Sequence, residues 1–155
     1  MPKPVKIGVM GAGSATFSLG LVKDLCLTQN LAGSHVSFMD VDANRLASVT
    51  QMAERYTDEI GSDLSFEQTT SRGEALEDAD FVINTAAVQS HYHQADMRDV
   101  HARHGYYYRG PGLGSFYNFN LMLDVARDME RICPDAWLIQ SGNPVFDGCT
   151  LMTRE

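Results

Sequence analysis

The stretch Val5-Lys6-Ile7-Gly8-Val9-Met10-Gly11-Ala12-Gly13-Ser14-Ala15-Thr16-Phe17 decides the fold. Val5 to Met10 reads as a short apolar strand, Gly11 to Gly13 as a tight turn, and Ala15 onward as a helix. In a doubly wound α/β sheet this first corner is where backbone N–H groups meet the pyrophosphate of a dinucleotide. Gly11 lets the chain turn sharply, and Gly13, lacking Cβ, lets phosphate oxygens approach the backbone. Ser14, Ala15, Thr16 and Phe17 then open a helix whose free donors and dipole favour an anion. Thr16 stands where the usual fingerprint has its third glycine. The pattern alone therefore also fits an ordinary strand–turn–helix corner that binds nothing.

The next elements give that corner a context. A helix is expected from Ala15 to about Thr28, with Phe17, Leu21 and Leu25 on its apolar face. A turn at Gly33 leads to a second strand, His35 to Asp40, which ends on a carboxylate. At that place a carboxylate accepts hydrogen bonds from adenosine ribose hydroxyls and repels a 2′-phosphate. Asp40 also fits the role of helix N-cap or turn residue ahead of Ala43. A second helix follows from Ala43 to Ile60, with Leu46, Val49, Ala53, Tyr56 and Ile60 on one side.

Further along, Leu64 to Thr69 is a short alternating strand, and Glu74 to Leu76 a helical turn. Phe81 to Ala87 is a strand whose apolar start suits burial on both faces. Its end, Asn84-Thr85-Ala86, would lie at the carboxyl edge of the sheet beside a nicotinamide ribose. Helices are expected from Gln94 to His104 and from Tyr117 to Ile132, the latter with Phe119, Met122, Ala126 and Met129 in register. Between them, Gly105 to Gly114 is a glycine-rich loop with an aromatic entry, read as an active-site loop or a plain connection. A fifth strand, Ala136 to Gln140, runs through Gly142-Asn143-Pro144 into a last helix from Val145 to Glu155. Alternating strands and helices define an α/β, doubly wound, mainly parallel sheet with helices on both faces. No linker interrupts the 155 residues, so one domain is expected, and the fold would need a further strand to be complete.

Composition excludes several classes. Apolar residues make up 44% and charged residues 21%, the balance of a globular protein, and no apolar run is long enough to span a bilayer. The net charge of −8, with no basic stripe, argues against nucleic acid as partner. No secretory h-region follows Met1, so a cytoplasmic location is expected. Cys26, Cys133 and Cys149 are too scattered for a disulfide framework or a zinc knuckle and are expected as buried thiols. His91 with His93, and His101 with His104, have chelating spacing but no cysteine or carboxylate nearby to complete a metal site.

Four landmarks in order carry a resemblance: Gly11-Ala12-Gly13-Ser14, Met39-Asp40-Val41-Asp42, Glu77 to Ala86, and Cys133-Pro134-Asp135-Ala136-Trp137 running to Gly142-Asn143-Pro144. Together they resemble glycoside hydrolase family 4, the NAD- and manganese-dependent glycosidases with a Rossmann-like cofactor domain, and more the α-glucosidase, α-galactosidase and α-glucuronidase members than the phospho-β-glucosidases. The resemblance implies glycoside cleavage by transient oxidation at sugar C3, loss of the C2 proton and elimination, an exception to two-carboxylate hydrolysis. It implies NAD contacts at Gly11, Gly13, Ser14, Asp40, Asn84, Thr85 and Ala86, and a sugar contact at Asn143, which also fits a turn residue before proline. It further implies a small-molecule glycoside substrate; a homo-oligomer is expected on other grounds, because the missing part of the fold should leave apolar area exposed. The family's Mn²⁺ ligands and catalytic base would lie beyond Glu155, and the aspartate that many members carry in the glycine-rich loop has no match in Tyr107-Tyr108-Arg109-Gly110. A lactate/malate-type dehydrogenase domain and a non-catalytic nucleotide-binding module are the competing readings.

Overall fold

The computed structural model describes residues 3–88, 91–106 and 116–155, and leaves aside the side chains of 91–94. The elements run β1 (Lys6–Met10), α1 (Ala15–Leu27), a 3-10 turn (Gln29–Leu31), β2 (His35–Met39), α2 (Ala43–Ile60), β3 (Ser65–Thr69), α3 (Arg72–Leu76), β4 (Phe81–Asn84), α4 (His91–Arg103), α5 (Phe116–Ile132), β5 (Trp137–Gln140) and α6 (Val145–Met152). All five strands form one parallel sheet in the order β3-β2-β1-β4-β5. β1 therefore lies at the centre, and the chain winds outward from it first to one side and then to the other.

Each face of the sheet carries its own apolar layer. On one, Ile7, Val9, Val36, Phe38 and Ile83 pack with Val22 and Leu25 of α1 and Leu46, Val49 and Ala53 of α2. On the other, Met10 and Val82 pack with Ala75 and Leu76 of α3 and Val125 and Met129 of α5. Gly8 faces α3 so closely that a Cβ would stand 2.9 Å from the Ala75 carbonyl oxygen. Burial on both faces explains the near-continuous apolar runs of β1 and β4.

Helix α2 matches its expected bounds because both ends are written locally. Asp42 caps it by accepting from the Asn44 and Arg45 N–H groups, and Gly61 ends it in the left-handed conformation at φ 67°. Other expectations shift. In α1 the core face is Ser18, Val22 and Leu25, while Phe17 is exposed. The Ser18 hydroxyl donates to the Ala12 carbonyl at 2.7 Å, which lets a polar residue hold a core position. In α2, Ile60 is exposed and Thr50 and Thr57 are buried, each hydroxyl donating to the carbonyl four residues back. β4 stops at Asn84 and not Ala87, and α6 stops at Met152 and not Glu155. Of the cysteines only Cys133 is buried; burial pushes its thiol up, Cys26 is half-buried, and Cys149 is exposed on α6.

Among the described residues no helix is long and apolar enough to cross a membrane. β5 forms one edge of the sheet and leaves Trp137 72% and Ile139 48% exposed, with Phe146 of α6 at 88%. An unpaired edge strand bearing apolar side chains favours association. The 155-residue chain should therefore self-associate with rising concentration in sedimentation runs, and Trp137→Ser with Ile139→Thr should shift it toward monomer.

On the opposite face, α3 and α5 are fastened by Arg72, which reaches the Asp128 carboxylate through Nε at 2.6 Å and Nη2 at 2.5 Å, while Arg131 adds a bond at 2.8 Å. Hydrogen bonds from Arg131 and then Arg72 hold the Asp128 carboxyl below the usual aspartate range, against the opposing effect of partial burial. A lowered folded-state value means stability present above the unfolded aspartate range and lost as pH falls through the folded one. Asp128→Asn should therefore cost roughly 1 kcal/mol at neutral pH, and nothing once both states are protonated. Urea unfolding at pH 7 and in strong acid measures this.

Candidate functional site

The strand ends β1, β2 and β4 meet in a cluster of backbone contacts. The N–H groups of Gly11 and Ala12 both donate to the Met39 carbonyl, at 2.9 and 3.0 Å. The Thr85 N–H donates to the Met10 carbonyl at 2.9 Å. Gly11 has φ +85°, and a Cβ there would stand 2.6 Å from Ala86 Cα, so both conformation and space require glycine. The winding direction reverses here: the chain passes from β1 through α1 to β2 on one side, and comes back from β3 through α3 to β4 on the other side of β1. In open parallel sheets the ligand crevice lies outside the strand ends at such a switch point.

Gly13 and Asp40 are interlocked. The Gly13 N–H donates to Asp40 Oδ2 at 2.8 Å, and a Cβ on Gly13 would lie 2.7 Å from Asp40 Cγ. Glycine at 13 thus makes room for the carboxylate, in addition to the close phosphate approach read from sequence. Asp40 Oδ1 accepts from the Asp42 N–H at 3.0 Å, so Asp40 is a fixed, half-buried group and Asp42 is the N-cap. A carboxylate has about four acceptor positions, and two are used within the protein.

Beyond Gly13 the corner opens. Ser14, Ala15, Thr16 and Phe17 are all exposed. Ser14 makes no side-chain capping bond, and the first turn of α1 carries no acidic residue. The first helical bond runs from the Ser18 N–H to the Ser14 carbonyl. The N–H groups of Ser14 to Phe17 have no acceptor among the described residues, which leaves a helix N-terminus free to receive an anion.

Toward β4 and β5 the side chains serve the loops. Asn84 is fully buried; its Nδ2 donates to Gln140 Oε1 at 2.9 Å and its Oδ1 accepts from the Ala86 N–H at 3.3 Å. Thr85 Oγ1 donates to the Met10 carbonyl at 2.9 Å. Both side chains fix the crevice floor, and the half-buried Ala86 backbone is what this segment presents beside Gly11. The N–H groups of Ser141 and Gly142 donate to the Asn84 carbonyl at 2.9 and 2.8 Å, which brings exposed Asn143 to the same edge.

Two residues of this network escape a reading by periodicity. Gln140 ends β5 and also donates to the Gly142 carbonyl at 2.8 Å. Asn118, in the first turn of α5, holds the loops after β4 and β5 together. The available signals were a polar residue at the end of an apolar strand and a poor helix former inside a helix start.

Among the described residues no three His, Cys, Asp or Glu side chains converge as a metal site. The side chains of His91 and His93, and the loop Tyr107-Tyr108-Arg109-Gly110 onward to Gly114, lie outside the described residues. His104 is exposed and His101 half-buried at the end of α4.

Sheet order, glycine corner and acidic β2 end define a Rossmann-like domain. The chain belongs to the family 4 glycosyl hydrolases, whose profile matches residues 6–155. It is 30% identical to the alpha-glucosidase of Erwinia rhapontici over 96% of this chain and 35% of that protein. It is also 30% identical to the alpha-galactosidase of Bacillus subtilis (strain 168), over 90% and 34%. The chain thus spans about a third of the length of these relatives. The fold matches a crystal structure of a 6-phospho-alpha-glucosidase from gut microorganisms in complex with NAD and Mn²⁺, with TM-score 0.84 and 21% identity over 98% of this chain and 36% of that one. A lactate dehydrogenase from Cryptosporidium parvum shares the fold at TM-score 0.71 and 18% identity, over 99% and 42%.

The interlock makes a specific expectation. Gly13→Ala should cost about 1–3 kcal/mol by forcing the Asp40 carboxylate aside. In an Asp40→Ala background the same change should cost clearly less, since the obstructing atoms are gone. Denaturant unfolding of the two single variants and the double variant reads the difference.

Proposed function

We propose that this chain is the N-terminal NAD-binding domain of an NAD- and manganese-dependent α-glycosidase that cleaves its substrate by transient oxidation of the sugar. The observation that carries this is the pairing of an open helix N-terminus at Ser14–Phe17 with a carboxylate fixed at the neighbouring strand end, in a chain of this family. Bound at that corner, NAD supplies a reversible hydride acceptor for one sugar carbon.

The chain's own residues do the holding. The N–H groups from Ser14 to Phe17 receive the pyrophosphate, with Gly11 and Gly13 allowing close approach. Asp40 keeps acceptor positions for the adenosine ribose hydroxyls and disfavours a 2′-phosphate by like charge. Asn84 and Thr85 act through the loop they brace, which sets the Ala86 backbone beside the nicotinamide ribose. Asn143 offers a side-chain amide to a sugar hydroxyl. No ligand cluster for manganese converges among the described residues, and the part those residues take is to grip the cofactor and orient the substrate. Family membership favours the glycosidase over the dehydrogenases, which share the fold alone.

Calorimetry tests the corner directly. The protein should bind NAD⁺ well over tenfold more tightly than NADP⁺, and Asp40→Ala should weaken NAD⁺ about tenfold, or 1.4 kcal/mol, while narrowing that preference. No NAD⁺ binding, or no effect of Asp40→Ala, would sink the proposal. For a protein of the relatives' length, hydrolysis of a nitrophenyl α-glycoside that depends on NAD⁺ and Mn²⁺ is the expected activity.

A further inference from the structure

Asn143 is the residue proposed to meet the sugar, and its backbone is held from both sides by amide side chains. The carbonyl before it, on Gly142, accepts from Gln140 Nε2 at 2.8 Å. Its own carbonyl accepts from Asn118 Nδ2 at 3.1 Å. Those two carbonyls belong to the peptide planes on either side of the Asn143 Cα, so together they fix its φ and ψ and hence the direction of its Cβ. The next residue, Pro144, has no N–H. The Asn143 carbonyl is therefore the one polar handle on the Asn143–Pro144 peptide, and Asn118 is the side chain that takes it.

Asn118 also faces the other way. Its Oδ1 accepts from the Val88 N–H at 3.0 Å, two residues beyond Ala86. Both ends of one half-buried amide are thus spent, one on the loop at the cofactor edge and one on the loop that carries Asn143. An amide is the side chain that suits this position, since it presents one donor and one acceptor in a fixed plane. Aspartate has the same shape but would set an oxygen against the Asn143 carbonyl.

We infer that Asn118 is a positioning residue, which orients Asn143 toward the sugar and ties it to the loop after β4. The inference rests on the glycosidase reading for what Asn143 meets, and on geometry for the tie itself. In a protein of the relatives' length, Asn118→Asp should lower kcat/KM for the glycoside about tenfold and leave the NAD⁺ Kd within twofold. Asn143→Ala should lower kcat/KM at least as much, and adding Asn118→Asp to it should bring little further loss. Additive losses, or an equal weakening of NAD⁺, would overturn the inference, because they would show general damage in place of orientation.

The tie has a readout free of turnover. In Asn118→Ala the Val88 amide should exchange its hydrogen about tenfold faster, whereas Asn118→Asp keeps the acceptor and should leave that rate near wild type. The Asn143 side-chain amide resonance should move in Asn118→Asp. A protein that binds NAD⁺ yet cleaves no glycoside refutes the function proposed above. The positioning role is then judged on these resonances, and an unmoved Asn143 signal with unchanged Val88 exchange overturns it.

Discussion

The carboxylate of Asp40 sits in the space that a side chain at Gly13 would fill, and accepts that residue's N–H. Much of the candidate site depends on this one contact. It closes the β1–α1 turn against the end of β2, and so leaves the following N–H groups pointing outward. A free anion site at a helix start needs its approach held open by something other than the ligand. Here the fixed carboxylate stands at that place, and in the proposed function it would also read the ribose of the cofactor.

A second layer of order comes from amides. Asn84, Gln140 and Asn118 share no stretch of sequence, yet they run in space from the floor of the crevice to the loop bearing Asn143. Each spends a donor and an acceptor within the protein. Buried or half-buried amides of this kind cost free energy unless both ends are satisfied, so the network has few other arrangements open to it. The loops at the ends of β4 and β5 are thereby tied into one unit with the start of α5.

Local chemistry was legible in the sequence where one segment writes its own structure. The bounds of α2 were readable because its ends, Asp42 and Gly61, are local, although the N-cap role weighed for Asp40 falls to Asp42. The glycine corner and the β2 carboxylate were readable for the same reason. What stayed hidden depends on partners far along the chain. Ser18 takes a core position because the Ala12 carbonyl waits for its hydroxyl, and no periodic count of apolar residues finds that. Gly13 was assigned to phosphate approach alone, because the carboxylate that occupies its vacancy comes 27 residues later. Asn118 looks like a weak helix former until Val88 and Asn143 are brought beside it.

The central place of β1 has a consequence for how the molecule comes into being. The first strand of this stretch becomes the central strand of the sheet, between β2 and β4. Its first neighbour exists only once His35–Met39 has emerged, and its second only after Phe81–Asn84. Until then Ile7 and Val9, wholly or nearly buried in the native sheet, have no lasting cover. Non-local parallel pairing forms slowly and leaves such strands open to the wrong partners meanwhile. The nascent chain thus carries the strand that leads into the glycine corner as an apolar segment left without cover until both of its partners have been made.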